Sequence, residues 1–541
     1  SVETVDGGLG DDTINATSTY ASNAVTASAT YNAGDIINGG AGTDQFVMAI
    51  SGADVFLDTL SPTLTGIETV SVRNYETEAN QSVTVDLSLA DTAIATVGVI
   101  ASTNVNADIT FTNIGQSVDL VMAGKGDMIA TYAAGVSAGV ADSANVTFND
   151  VGTSALAVST FDLSSIETLN ITSSTAANFV SIANQGLTAV TVAGDKAIDL
   201  EISDPQVVTI DASSATGKVT LDTTAITMAN LTSIKGGTGA TDVLEVDEAV
   251  TVTGATSATN SLFAASGFET LLLDGAFTIA LSTNDLGISN FDFTATTANV
   301  LTLNTGYTGA TTVSMNGSDT VTNSANVDLT VNAKSDVFTN TATVTGGTGT
   351  VDTINLTAKG AITVGLDAVT LVEQVNVLAG TIGTEDITID VGGLNTVVAS
   401  GKTLTIDASA FTNVGALLSF TGTGETDGSF NVTGGAGIDT MIAGNGGDTL
   451  TGGGGNDSLT GGTGSDTING GAGIDSITSG SGVDTIDGGA GNDTITMAGN
   501  LTAADTIDGG AGSDTLKVTS VSATALAGVS NIETLAVTGV S

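Results

Sequence analysis

Seven aspartates recur at intervals of nine residues near the C-terminal end of the chain and carry the clearest chemistry in the sequence. They are Asp439, Asp448, Asp457, Asp466, Asp475, Asp484 and Asp493. Each stands sixth in a nonapeptide of the type GGxGxDxUx, in which U is a large apolar residue. A carboxylate is a hard anionic oxygen donor, and Ca²⁺ takes roughly six to eight oxygen ligands. The spacing therefore predicts a row of calcium sites.

The glycines of these nonapeptides indicate turns. Glycine weakens a strand or a helix, so its repeated use predicts tight turns of positive φ that direct carbonyl oxygens inward. The residues around U predict a short strand with one buried apolar side chain. A repeat of this period is typical of a calcium-binding parallel β-roll. The clearest copies begin at Gly434, Gly452, Gly461 and Gly488, and a further copy begins at Gly470.

Two nonapeptides should form one coil, so successive turns should alternate between two edges of the roll. Coils stack about 4.8 Å apart, which lets one ion bridge carboxylates of successive coils. Without metal these carboxylates repel one another, so we expect calcium to order the segment. A flexible linker is the competing interpretation, but it gives no reason for aspartate to keep its phase seven times. The two expected edges carry Asp439, Asp457, Asp475 and Asp493 on one side, and Asp448, Asp466 and Asp484 on the other.

Three further copies lie outside the uninterrupted run. Asp12 and Asp44 occupy the sixth position near the N-terminal end, and Asp514 does so in the copy that begins at Gly509. We expect calcium at these three aspartates as well. Two related segments carry one extra residue before the aspartate, at Asp242 and Asp352. They are interpreted either as isolated calcium sites or as plain β-turns.

A second signature, apolar-Glu-Thr-apolar, follows several of these motifs. Each glutamate is either a calcium or intersubunit ligand, or it faces solvent or satisfies a turn; the second interpretation is favoured because a lone Glu in a strand is usually solvated. This signature, with one variant, places glutamates at Glu68, Glu167, Glu269, Glu373 and Glu533.

The composition excludes several functions. The 541 residues include 58 acidic and 9 basic ones, which give a formal charge of −49. Nucleic acid is therefore excluded as a partner. The absence of Cys and His excludes cysteine- or histidine-bound zinc and serine–histidine relays. Apolar residues make up 41 % of the chain, which is enough to bury a core. No stretch is long and apolar enough for a transmembrane helix.

The middle of the chain alternates polar and apolar residues with period two, which predicts half-buried strands. We therefore predict an all-β protein: a calcium-binding parallel β-roll plus β-solenoid or β-sandwich modules. Three regions follow: 1–75 with outlying calcium motifs, 76–430 with repeated strands, and 431–541 with the roll and a closing module.

The nonapeptides resemble those of the repeats-in-toxin (RTX) family. The linked pattern GGAGTD…GIETVSV, together with the Thr/Ala/Val-rich body, is similar to bacterial surface-layer proteins of the Caulobacter type. This resemblance implies type I secretion, calcium-triggered folding outside the cell, and assembly into a lattice at the cell surface. It also implies that Ca²⁺ is held by the sixth-position carboxylate and by carbonyls of the glycine turn.

Three functions fit these observations. The first is a structural protein that assembles with itself, with calcium both ordering each chain and bridging neighbours or a cell-surface polysaccharide. The second is an adhesin, or a sheath or filament subunit, which would need a ligand-binding domain or an open interface. The third is a secreted polysaccharide-active enzyme that relies on carboxylates alone. No catalytic constellation is recognisable, so we expect the chain not to be an enzyme.

Overall fold

The computed structural model of the protein describes most of the chain. The described residues are 4–20, 28–29, 35–52, 58–75, 81–103, 107–136, 142–152, 159–163, 165–183, 186–223, 226, 230–239, 241–246, 251–252, 265–281, 288–294, 298–316, 318–334, 342–349, 351–358, 362–366, 368–380, 386–391, 397–497, 501–522 and 524–539.

The chain folds as a parallel β-solenoid with almost no helix. Most strands pair in parallel with the second or third strand along the chain and not with their immediate neighbour. Thr96–Ser102, for example, pairs in parallel with Thr69–Asn74 on one side and Asp119–Gly124 on the other. A coil therefore contributes one strand to each of two sheets, and the first coils add a short strand to a third. The prediction of an all-β solenoid and roll is confirmed, whereas the sandwich alternative is wrong because sandwiches are built from antiparallel sheets.

The chain divides into two compact units. The first comprises Ser1–Glu248, Thr256–Leu272 and Asp285–Ile288, and the second comprises Ala249–Ala255, Leu273–Asn284 and Ser289–Ser541. The division into regions 1–75, 76–430 and 431–541 stays a prediction.

The first unit contains three sets of parallel strands. One set is Thr13–Tyr20, Gln45–Gly52, Thr69–Asn74, Thr96–Ser102, Asp119–Gly124, Ser143–Val151, Thr168–Ser174, Ala189–Gly194, Thr209–Ala215, Ser233–Lys235 and Ala265–Ser266, with Ser28–Ala29 added in antiparallel. The second is Asp58–Leu60, Gln81–Asp86, Ala107–Ile114, Met128–Tyr132, Ser159–Leu163, Asn178–Ile182, Ile198–Ile202, Val219–Asp222 and Val243–Val246. The third is Thr4–Asp6, Ile36–Asn38 and Thr63–Thr65. The strand Thr270–Leu273 contains residues of both units.

The second unit has the same construction. Its long set is Asn290–Phe293, Thr311–Met315, Leu329–Lys334, Thr353–Thr357, Gln374–Leu378, Thr403–Asp407, Ser429–Thr433, Thr449–Gly454, Thr467–Ala472, Thr485–Asp487, Thr506–Asp508 and Val529–Ser530. Two further sets are Thr251–Val252, Thr278–Leu281, Val300–Leu303, Thr320–Asn323, Thr343–Thr345 and Val369–Thr370, and then Ile362–Gly365, Ile387–Asp390, Leu418–Thr421, Thr440–Ile442, Ser458–Thr463, Ser476–Ser481, Thr494–Thr496, Thr515–Val518 and Thr534–Val537. A 3₁₀ helix spans Ala525–Gly528.

The core follows from the period-two pattern. Along most strands every second residue is buried, so each strand lays one apolar row against the opposite sheet of the same coil. In the roll, Leu459 is stacked between Met441 and Ile477, and all three are buried. Among the described residues, no helix has the length and apolarity needed to span a membrane.

Candidate metal centres

One edge of the roll carries a continuous ladder of carboxylates. The backbone N–H of each ladder aspartate donates to a carboxylate oxygen of the ladder residue one coil further on. Asp439 donates to Asp457 at 2.7 Å, Asp457 to Asp475 at 2.8 Å, Asp475 to Asp493 at 2.8 Å, Asp493 to Asp514 at 2.7 Å and Asp514 to Glu533 at 2.7 Å. Backbone N–H groups and carboxylates therefore form a continuous chain of hydrogen bonds along this edge, and Glu533 is the last acceptor.

The opposite edge carries a second ladder of the same kind. Asp448 donates to Asp466 at 2.8 Å, Asp466 to Asp484 at 3.1 Å and Asp484 to Asp505 at 2.9 Å. The predicted alternation of the aspartates between two edges is therefore what the structure shows. Asp505 ends this ladder, and its second oxygen accepts the N–H of Thr502 at 2.6 Å.

The second carboxylate oxygen of most predicted site residues is buried without a partner. The side chains themselves are almost fully buried in the roll, where Asp457 is 2 % exposed. An ionised carboxylate in such a place is costly unless a cation or further donors compensate it. The partnerless Oδ2 atoms belong to Asp12, Asp44, Asp242, Asp457, Asp466, Asp475, Asp484, Asp493 and Asp514.

The first glycine of each motif leaves open the space that these oxygens face. A Cβ built on Gly452 would collide with Oδ2 of Asp457 and with the carbonyl oxygen of Gly470, one coil further on. The same pair of oxygens borders Gly470, where a Cβ would meet Asp475 and Gly488. A carboxylate and a backbone carbonyl thus converge on one small space, which only glycine keeps open. Gly434, Gly461, Gly488 and Gly509 border a ladder aspartate and a next-coil carbonyl in the same way.

The second and fourth residues of the turns have the predicted positive φ. In the copy before Asp457, for example, φ is 101° at Gly453 and 112° at Gly455. The same paired conformation precedes Asp12, Asp44, Asp466, Asp475, Asp484, Asp493 and Asp514. These are the aspartates, with Asp457, that carry a partnerless Oδ2 behind a GGxGxD-type turn.

Two copies at the start of the roll have a different geometry. The turns before Asp439 and Asp448 lack glycines of positive φ. Instead, the N–H of Gly435 donates to Oδ2 of Asp439 at 2.7 Å, and the N–H of Gly444 donates to Oδ2 of Asp448 at 3.3 Å. A positive-φ turn was predicted for both copies and is wrong there. An N–H directed at this oxygen compensates its negative charge. These two aspartates therefore need a cation less than the other five aspartates of the uninterrupted run.

The raised pKa values of several ladder aspartates also show that their buried negative charge is unfavourable without a cation. Burial raises the pKa of Asp457 and of Asp466 to about 7. The neighbouring ladder charges add to this effect, while the N–H that each carboxylate accepts opposes it. Burial likewise raises the pKa of Asp493 to about 6. Without a cation these side chains are held partly protonated near neutral pH.

The N-terminal copies form a short ladder of the same design. The N–H of Asp12 donates to Oδ1 of Asp44 at 2.8 Å, and the N–H of Asp44 donates to Oε2 of Glu68 at 2.6 Å. The carbonyl oxygen of Gly66 lies against Gly39, where a Cβ would also meet Oδ2 of Asp44. Glu68 therefore ends this ladder as Glu533 ends the one in the roll.

All five glutamates of the apolar-Glu-Thr signature occupy the same kind of turn, immediately before a strand, which we call the glutamate corner. Each accepts the N–H of an aspartate one coil earlier, and its own N–H donates to the carbonyl of that aspartate. The acceptor distances are 2.6 Å for Glu68, 2.9 Å for Glu167, 2.8 Å for Glu269, 2.8 Å for Glu373 and 2.7 Å for Glu533. Each glutamate stands just before a strand and satisfies a turn, which agrees with the favoured interpretation, while a role as a calcium or intersubunit ligand stays a prediction.

Sequence reasoning missed the backbone conformation of this corner. The residue two positions before each glutamate has a positive φ: 57° at Gly66, 66° at Ser165, 75° at Gly267, 56° at Leu371 and 51° at Asn531. Glycine at two of the five positions was the available signal. At Gly66, Gly267, Leu371 and Asn531 the carbonyl of this residue lies against a glycine of the preceding coil, as the carbonyl of a nonapeptide glycine does.

The two motifs with an extra residue differ from each other. Oδ1 of Asp242 accepts the N–H of Val219 at 2.7 Å, and its Oδ2 has no partner. Oδ1 of Asp352 accepts the N–H of Leu329 at 2.7 Å, but its Oδ2 accepts the N–H of Gly347 at 2.6 Å. Similar sequences thus give one open carboxylate and one that is fully hydrogen-bonded.

These sites fit Ca²⁺ by donor chemistry. The described residues contain no group of three or more acidic side chains that would hold an ion by themselves. Each site instead combines a buried, partnerless carboxylate oxygen with a backbone carbonyl, which is the hard oxygen set that calcium takes. In the nonapeptides, the partnerless aspartates and the carbonyls of the glycine turns are the groups that could hold the ion, and this ligand set stays a prediction.

The comparisons with known proteins agree with this chemistry. A family model for the RTX calcium-binding nonapeptide repeat matches four times, at residues 2–18, 433–468, 460–495 and 502–517. No curated protein and no solved structure matches the chain. The matched stretches include the ladder from Asp439 to Asp493 and the outlying Asp12 and Asp514. The chain therefore carries nonapeptide repeats of the RTX type, and these repeats are calcium-binding motifs.

Proposed function

We propose that this protein is a structural subunit of a calcium-dependent, self-assembling layer at a cell surface. RTX repeats imply a secreted, extracellular protein, and an extracellular medium supplies the ion that the ladders need. The observation that carries the proposal is the row of partnerless, buried carboxylate oxygens along the solenoid. A protein built in this way depends on calcium for order, and type I secretion would deliver it unfolded to the calcium outside.

The charge balance supports calcium between chains as well as within them. With 58 acidic and 9 basic residues, two copies of this chain repel each other at low ionic strength. The ion pairs of the described residues, Lys196–Asp195 and Lys235–Asp211, are both exposed; the first joins chain neighbours and the second joins adjacent strands. Contact between like subunits, or with an acidic surface polysaccharide, therefore calls for a divalent counterion.

The surface chemistry favours a structural role over catalysis. RTX β-roll proteins are typically structural proteins, toxins or adhesins. A surface cleft of about 510 Å³ between neighbouring coils is lined by one ionisable side chain, Asp150. Glycoside hydrolysis needs two carboxylates facing one bond, and this cleft supplies one. The repeated, chemically uniform coils suit stacking and lateral contact.

The test is assembly of the purified protein in matched buffers with calcium, with magnesium or with a chelator. Sedimentation velocity and negative-stain electron microscopy should show ordered sheets in calcium alone, and chelation should disperse them. A folded protein that stays monomeric at high concentration in calcium would contradict assembly and favour an adhesin. Filaments in place of sheets would contradict the layer and favour a sheath subunit.

A further inference from the structure

We propose a calcium site at Asp242 and Glu269, in the first unit of the chain and outside every stretch that matches the nonapeptide family. The site rests on the geometry of the coil and not on the proposed assembly. Its central atom is Oδ2 of Asp242, which is buried without a hydrogen-bond partner in a residue that is 0 % exposed.

The carboxylate of Asp242 is held in a fixed orientation. Its Oδ1 accepts the N–H of Val219 at 2.7 Å, one coil earlier. The backbone N–H of Asp242 donates to Oε2 of Glu269 at 2.8 Å, one coil later. The N–H of Glu269 in turn donates to the carbonyl of Asp242 at 3.1 Å. With Oδ1 engaged, Oδ2 faces the glycine turn: it lies 3.0 Å from the point where a Cβ on Gly237 would stand.

The corner before Glu269 completes the oxygen donors. Gly267 has a φ of 75°, and its carbonyl oxygen lies against Gly236, in the same glycine pair. The arrangement is related to the one at Asp44, where the carbonyl of Gly66 and Oδ2 of Asp44 border the same glycine; here the carbonyl borders Gly236 and Oδ2 borders the next glycine, Gly237. Asp242, Gly267 and Glu269 therefore offer two carboxylates and a carbonyl around one glycine turn. Hard oxygen donors with a net charge of −2 suit Ca²⁺.

The related corner at Asp352 and Glu373 provides a matched control within the same chain. The N–H of Asp352 donates to Glu373 at 2.8 Å, so the two corners share their main hydrogen bond. The difference is that Oδ2 of Asp352 accepts the N–H of Gly347. That donor occupies the oxygen that a cation would need, so this corner is closed without metal.

The experiment counts calcium ions on the full-length protein by native mass spectrometry over a calcium titration. Asp242→Asn should bind one ion fewer than the parent protein, and Asp352→Asn should bind the same number. Glu269→Gln retains a hydrogen-bond acceptor for Asp242 but lowers the charge, so it should raise the calcium concentration for half-occupancy several-fold. An unchanged ion count in Asp242→Asn overturns the proposal.

Thermal melting provides a second readout that a structural role would not reproduce. In a chelator, Asp242→Asn should melt at or above the parent protein, because it removes a buried charge without a partner. In calcium it should melt below the parent protein. Asp352→Asn should melt lower by a similar amount in both buffers. If Asp242→Asn is destabilised equally with and without calcium, or fails to fold in both, the proposal is wrong.

Discussion

The backbone N–H of Asp457 donates to Oδ1 of Asp475 at 2.8 Å, across one coil of the roll. This bond fixes both carboxylates in register and turns Oδ2 of each toward the glycine turn without a partner. The hydrogen bonds stabilise the fold, but the buried carboxylate charges destabilise it until a cation binds. The same hydrogen bonds that align the coils hold the charges in a place where only a cation or a proton stabilises them.

Filling the space beside the first glycine should weaken calcium binding. Gly452→Ala would place a methyl group against Oδ2 of Asp457 and the carbonyl of Gly470. We expect a loss of about 1–3 kcal/mol in unfolding free energy in calcium, as for other overpacked sites, and a weaker calcium affinity. Calorimetric calcium titration and chemical unfolding measure the two quantities.

Gly454→Ala is the matched control, two residues along the same strand. A Cβ there meets its nearest atom, in Ala436, at 3.5 Å, an ordinary contact. Its effect should stay within about 0.5 kcal/mol, as for a substitution away from any special feature. Equal losses in both variants would show that the first glycine does not border the ion.

Replacing an open carboxylate should change stability in a calcium-dependent way, whereas replacing a closed one should not. Asp457→Asn removes the charge beside a partnerless oxygen, so it should lower stability in calcium and leave it unchanged or higher in a chelator. With free calcium a hundredfold above Kd, one lost site corresponds to about 2.7 kcal/mol.

Asp439→Asn is the comparison for the closed geometry. Its Oδ2 accepts the N–H of Gly435, and an amide in that place loses the bond. The cost should be about 1–3 kcal/mol both with and without calcium, measured by urea unfolding. A calcium-dependent cost at Asp439 equal to that at Asp457 would mean that the two turn geometries do not differ in function.

The calcium-free protein should become more stable as the pH falls from 7 toward 5. Burial raises the pKa of Asp457 and Asp466 to about 7 in the fold, whereas an unfolded aspartate titrates near 3.9. Between these values the folded state binds more protons than the unfolded state, so stability falls as the pH rises. Melting in a chelator between pH 5 and pH 8 checks the sign. A melting temperature that rises with pH would contradict it.

Leu371 is one of three residues other than glycine that hold a positive φ at the glutamate corners, with Ser165 and Asn531. It is 44 % exposed and has a φ of 56°, a conformation that costs an L-residue roughly 1–2 kcal/mol. Leu371→Gly should therefore raise the unfolding free energy by about 0.5–1 kcal/mol, after the entropy cost of glycine in the unfolded chain. Leu378→Gly, at a similarly exposed strand residue, should lower it. A loss of stability in both would show that the corner at Leu371 is not strained.

The sequence predicted the parts of this structure that depend on a local repeat. The period of nine gave the strand at Leu459, the turn before Asp457 and the alternation of the aspartates between two edges. It could not separate Asp439 from Asp457, because both have a well-formed motif. What differs is the residue of the preceding coil that donates to the carboxylate. Asp457 accepts the N–H of another ladder aspartate, Asp439, whereas Asp439 accepts the N–H of Leu418. The conformation at the roll's beginning depends on a neighbouring coil that lacks the repeat.

The glutamate corners show the second limit of sequence reasoning. Glu269 stands 27 residues from Asp242, whose N–H it accepts, while Glu533 stands 19 residues from Asp514. Because coil length varies, a search for a fixed sequence period does not detect this recurring Asp–Glu pair. The difference between Asp242 and Asp352 is harder still to predict from sequence, because it depends on whether one glycine N–H donates to Oδ2 of the aspartate.

The most direct test of the calcium account is hydrogen exchange of the roll, measured by mass spectrometry with calcium, with magnesium and with a chelator. The amides of Asp457, Asp466 and Asp475 all donate within the ladders. We predict that peptides containing them exchange slowly in calcium and faster by orders of magnitude in magnesium or in the chelator. Equal protection in all three buffers would show that the ladders are stable without the ion, and would contradict calcium as the agent that orders this fold.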